Sequence, residues 1–112
     1  MSGFYILDEH GEPRAVADFL VWAAWFETAG NRVVKQDYAE GEDATCGVST
    51  VFLGLDHNHA GIGPPILWET LVFGTSLDGE MRRYSSKAAA IRGHEELLKR
   101  VTELYYVEGR RG

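Results

Sequence analysis

Cysteine is all but missing from this sequence. Cys46 is the single one among 112 residues, so no disulfide forms within the chain and no Cys-x-x-Cys or Cys/His zinc pattern exists. A lone cysteine serves as a nucleophile only beside a base and an orienting group. Thr45-Cys46-Gly47 offers neither, and Cys46 reads as a small residue at a strand edge. An unpaired thiol suits a reducing cytoplasm.

Positive charge is also short. Eleven Lys and Arg stand against 17 Asp and Glu, for a net charge of −6. Binding to nucleic-acid phosphates needs a positive surface, so direct backbone binding to DNA or RNA is not expected. An acidic surface favours solubility and can meet a basic partner. The acidic run Glu40, Glu42 and Asp43 lies in a Gly-containing segment and reads as a solvated loop. No apolar run approaches the roughly 20 residues of a membrane span, and the N-terminus lacks a signal-peptide pattern. No repeat, low-complexity segment or linker divides residues 1–112, which read as one domain with a frayed tail at 109–112.

What is present reads as alternating punctuation and pattern. Residues 4–7 form a short strand followed by a turn-rich stretch to Pro13. Residues 16–28 carry apolar residues at helical spacing, with Gly30 placed as a C-terminal cap. Val21, Trp22 and Trp25 fall off the main stripe of that helix, so it is expected to be buried on two sides and to supply an interface. Strands follow at residues 32–38, 48–56, 66–75 and 80–85, the last two joined by a tight turn at 76–79. A second helix starts after a cap at Ser85 or Ser86 and runs over residues 87–105. Its stripe is Ala90, Ile91, His94, Leu97, Leu98, Val101, Leu104 and Tyr105. The order β-α-β-β-β-β-α predicts an α+β fold, an antiparallel four- to five-stranded sheet with two helices packed on one face.

Simple hairpin register divides the strand residues into two faces. The more aliphatic set holds Ser49, Val51, Leu53, Leu55, His57, Leu67, Glu69, Leu71, Phe73, Arg82 and Tyr84, and is expected beneath the helices. There Glu69 and His94 would form a buried polar pair, because a buried charge needs a partner. The other set combines aromatic, hydroxyl and guanidinium groups at Thr50, Phe52, Trp68, Thr70, Arg83 and Ser85. Left open, it would form a platform for a nucleotide-type small molecule or a partner protein, or the contact of a homo-oligomer. Asp56, His57 and His59 are the most metal-like residues by type, but two histidines and a carboxylate without a marked fourth ligand make a weak site. Asp56 is expected to cap its own turn instead. No metal or other cofactor is expected.

Two strings have a further property. Val48-Ser49-Thr50-Val51-Phe52-Leu53-Gly54-Leu55-Asp56-His57 and Gly63-Pro64-Pro65-Ile66-Leu67-Trp68-Glu69-Thr70-Leu71-Val72-Phe73-Gly74 resemble segments of a family of small bacteriophage- and prophage-encoded proteins. Tyr84-Ser85 through Gly93-His94-Glu95 is similar to the helix of that group, while His59 departs from the aromatic residue expected at its place. The resemblance covers residues 48–95 and brings no catalytic residue with it. It implies an accessory, anti-defence type of protein that binds and blocks a host factor or sequesters a nucleotide signal. A small hydrolase or lyase built on Asp56, His57, His59, Glu69 and His94 is the alternative, and a structural or regulatory phage component is a third.

Overall fold

The computed structural model describes residues 3–28, 32–39 and 45–109. Near the start of the chain, the Asp8 carboxylate accepts hydrogen bonds from the N–H groups of His10 and Glu12, at 2.8 and 2.9 Å, and from Arg14 Nε at 2.8 Å. These bonds, the Glu12 N–H foremost, hold the Asp8 carboxyl below the usual carboxylate range. They also close a hairpin between β1 (Tyr5–Leu7) and β2 (Pro13–Ala15), in the register Tyr5↔Ala15. Pro13-Arg14-Ala15 has no β-branched residue, so β2 leaves no strand pattern in the sequence.

The first helix, α1 (Phe19–Glu27), starts later than residue 16. Val16 is still extended, its N–H donating to Phe4 O, and Asp18 caps the helix by accepting from Leu20 N–H at 2.9 Å. Gly30 and the acidic run Glu40, Glu42, Asp43 lie outside the described residues, as do residues 110–112 of the tail.

A four-stranded antiparallel meander follows, β3 (Val33–Tyr38), β4 (Gly47–Phe52), β5 (Trp68–Phe73) and β6 (Met81–Tyr84), in that spatial order. The first hairpin is thus a separate two-stranded sheet, linked to the meander by the bridge Phe4↔Leu55. Helix α2 (Lys87–Gly109) begins where Ser86 Oγ accepts from Ala89 N–H, and crosses one face of all four strands. The fold is α+β.

The helix-covered face is the reverse of the one expected. Register pairs Val48 with Val72, Thr50 with Thr70 and Phe52 with Trp68, and these six residues are buried. Val48 and Val72 pack with Leu97 and Val101 of α2, while Phe52 and Trp68 pack with Ala90. Counting aliphatic residues misleads here, because two aromatic rings fill more of the core than two leucines and the threonines bond to one another. Register also places Arg83 opposite Glu69, so Arg82 and Tyr84, not Arg83, belong to the covered face. The near end of this face is closed by Tyr5, Leu7 and Trp25, with Trp25 edge-on to Phe52 at 5.7 Å.

Candidate functional site

The centre of the covered face is polar. Thr50 and Thr70 face each other across β4 and β5 with hydroxyl oxygens 2.7 Å apart. Thr50 Oγ1 is 2.7 Å from His94 Nδ1, and His94 Nε2 is 2.8 Å from a carboxylate oxygen of Asp37 on β3. The Asp37 carboxylate accepts from His94 Nε2–H, and Nδ1, Thr50 and Thr70 complete the chain, each hydroxyl being able to donate or accept. Both threonines and His94 are fully buried, and Asp37 is half-buried.

Carboxylate, imidazole and hydroxyl in series is the arrangement that activates a nucleophile in hydrolases. Here both hydroxyls lie under α2 in the packed core, where no substrate meets them. The arrangement instead joins α2 to three strands through one side chain. It was legible only in part: His94 is buried, as its place on the stripe implies, but its partners are Thr50 and Asp37. Glu69, expected beside it, lies on the opposite face and accepts from Arg83 Nε at 3.0 Å. The even spacing of Asp37, two residues beyond Lys35, was the overlooked signal.

Around the rim, ion pairs tie the strands to α2. Arg82 meets Glu96 at 3.1 Å, and Lys35 donates to Glu95. That hydrogen bond, with the charges of Glu95 and Asp37, raises the Lys35 pKa. Asp37, His94 and Glu95 present ligand-type atoms within 4.8 Å of one another. The Lys35 ammonium, bonded to Glu95 and 4.0 Å from Asp37, already supplies that cluster with a cation.

The remaining expected site residues are dispersed. Thr50, Phe52, Trp68 and Thr70 are core, Arg83 points to the other face, and Ser85 is exposed ahead of α2. The six therefore form no common platform. Asp56 caps its turn, accepting from Asn58 N–H at 2.8 Å and Ile66 N–H at 2.9 Å. His57 donates through Nδ1 to Leu55 O, and its ring stands 6.1 Å from that of His59. The loop is a hydrogen-bonded turn, and the described residues bring no third ligand to its histidines.

On α1 the interface residues separate. Trp22 stacks on Phe26 at 4.7 Å and donates through Nε1 to Gly54 O at 2.9 Å. Trp25 turns to Phe52, so both tryptophans serve the fold and Val21 alone of the three faces outward. Beside Val21 stand Phe19 and Leu20, the latter 74% exposed. Glu27 is the one charged residue within the helix, and Asp18 precedes it. No helix among the described residues is long and apolar enough to cross a membrane.

No family model matches this sequence, and no curated protein or solved structure matches it either.

Proposed function

We propose that this protein is a non-catalytic binding module that docks on a host protein through the outer side of α1 and blocks it, as the resemblance of residues 48–95 to small phage-encoded proteins implies. The observation that carries this reading is the exposure of Leu20 and Val21 on the outer side of a helix with one charged residue, while Phe19 packs against the rings of Phe4 and Trp22. Fully burying a side chain of this size is worth about 1.5–3 kcal/mol, which a partner groove would recover. Acidic residues bracket the patch at Asp18 and Glu27. They match an apolar groove with a basic rim, the helix-in-groove mode of recognition. The resembling strings map to β4, β5 and α2, so they describe the scaffold, and the docking helix lies outside them. Thr50, Phe52, Trp68 and Thr70 offer a nucleotide-type ligand no open surface, which favours a protein partner in this reading.

The test is affinity capture from host lysate with wild-type protein, Leu20→Lys, Val21→Lys and, as a surface control, Glu103→Lys on α2. The expected result is one host protein retained by wild type and by the control and lost from both α1 variants, all four melting alike. Retention by the α1 variants would end this reading.

A further inference from the structure

The face of the meander turned away from α2 carries a second, separate surface. Register sets its side chains in rows: Val33, Val51, Glu69 and Arg83 in one, Gln36, Ser49, Leu71 and Met81 in the next, and Tyr38 beside Phe73 in the third. None of the described elements packs on it. Val33, Leu71 and Met81 are 49%, 42% and 47% exposed, although each sits in a strand with neighbours. Antiparallel sheets with one wet face ordinarily alternate apolar-in with polar-out, and here Val33, Val51, Leu71 and Met81 interrupt the polar set Gln36, Ser49, Glu69 and Arg83.

Charge narrows the occupant. The chain holds 17 acidic and 11 basic residues, yet these rows contain a single acid and a single base, already paired at 3.0 Å. The strand rows themselves carry no net charge, so two copies of an acidic protein meet there without like charges opposed across the rows. Glu69 and Arg83 side by side also form a self-complementary pair. A two-fold axis lying between the two sheets makes the contact isologous, so each copy offers the other the same acid and base. We infer that a second copy of this chain covers this face, the two sheets stacking into a sandwich with their strands inclined by about 30°.

Strand spacing and rise give the four strands a footprint of about 400 Å² per copy. That is below the roughly 800 Å² per partner of standard interfaces, so the dimer is a weak one, formed in the micromolar range. This contact is independent of α1, and its loss leaves the docking helix untouched.

Sedimentation of the full chain from about 1 to 500 μM is the test. The expected mass rises from 12.5 kDa toward twice that value with concentration. Leu71→Arg and Met81→Arg, one on a central and one on an edge strand, each weaken association at least tenfold while keeping the wild-type circular dichroism. Glu69→Arg gives a face with two positive charges and Arg83→Glu one with two negative charges. Each variant alone is expected to stay monomeric, and an equimolar mixture to form a one-to-one complex. A wild-type mass of 12.5 kDa throughout, or a dimer indifferent to both Leu71→Arg and Met81→Arg, overturns the inference.

Discussion

His94 of α2 and Asp37 of β3, fifty-seven positions apart in the chain, meet at 2.8 Å, and the other nitrogen of the same ring meets Thr50 at 2.7 Å. One imidazole thus bonds the last element to the first strand of the meander and to the strand beside it.

Removing the ring is expected to be among the most damaging single changes. His94→Ala leaves Thr50, Thr70 and Asp37 short of partners and opens a cavity, and should cost about 3–4 kcal/mol. Thr50→Val strands His94 Nδ1 in the dry interior and should cost about 1–3 kcal/mol, whereas Thr50→Ser keeps the hydroxyl and should cost less. Urea midpoints at neutral pH measure all three. Equal stabilities for Thr50→Val and wild type would show that the bond contributes nothing.

Gly93 faces Tyr84 so closely that a Cβ there would lie 1.8 Å from the phenol oxygen and 2.5 Å from Cζ. Gly93→Ala should therefore destabilise by about 1–3 kcal/mol through overpacking, although alanine is the better helix former. Tyr84→Phe does not relieve it, since Cζ remains. On its own, however, Tyr84→Phe removes a buried hydroxyl with no hydrogen-bond partner among the described residues, and should raise the melting temperature by about 4–6 °C. Thermal melts of the two single variants and the double variant separate these effects.

Asp8 gives the pH dependence a definite sign. Its carboxyl is held below the usual range in the folded state, so it contributes stability above its unfolded pKa and loses that contribution as pH falls through the folded one. The gap in melting temperature between wild type and Asp8→Asn should be constant above about pH 5 and close on acidification below about pH 4. A gap that widens toward low pH contradicts the assignment.

Gly54 has φ +75°, and a Cβ there would stand 3.1 Å from the Phe26 ring and 3.3 Å from Trp22 Nε1. Gly54→Ala should cost about 1–2 kcal/mol for the left-handed backbone alone, and more as Trp22 is pushed off Gly54 O. Trp22→Phe, which loses only the 2.9 Å hydrogen bond, should cost about 0.5–1.5 kcal/mol. Chemical denaturation of both ranks them.

The sequence made the scaffold legible where side-chain type and spacing agreed. The β-branched and aromatic runs around Val48 and Trp68 are strands, the stripe from Ala90 to Tyr105 is a helix, and Ser86 is its cap. The antiparallel pairing of β4 with β5 also followed, from their succession in the chain. The sidedness did not, because Thr50 and Thr70 are hydrophilic by type and become core residues only through a histidine contributed by a distant helix. A one-residue offset at β6 grouped Arg82 with Glu69 and Arg83 with Thr70, whereas the register sets Arg83 opposite Glu69 and Arg82 opposite Thr70. Likewise Val16 and Ala17 fit the helical stripe of α1, but the hydrogen bond from Val16 to Phe4 exists only once the first hairpin has closed. The buried residues of the candidate platform were named correctly as a group on one face and assigned to the wrong environment for the same reason.

Helix α2 touches every strand of the meander and is the last described element to be made. During synthesis the meander leaves the ribosome with Phe52, Trp68 and Val72 still bare, and their cover is added only after the strands are complete. The nascent chain therefore passes through a stage with both sides of its sheet apolar and open, when association with other unfinished chains competes with folding. Closure of α2 over the meander is the step that ends this exposure.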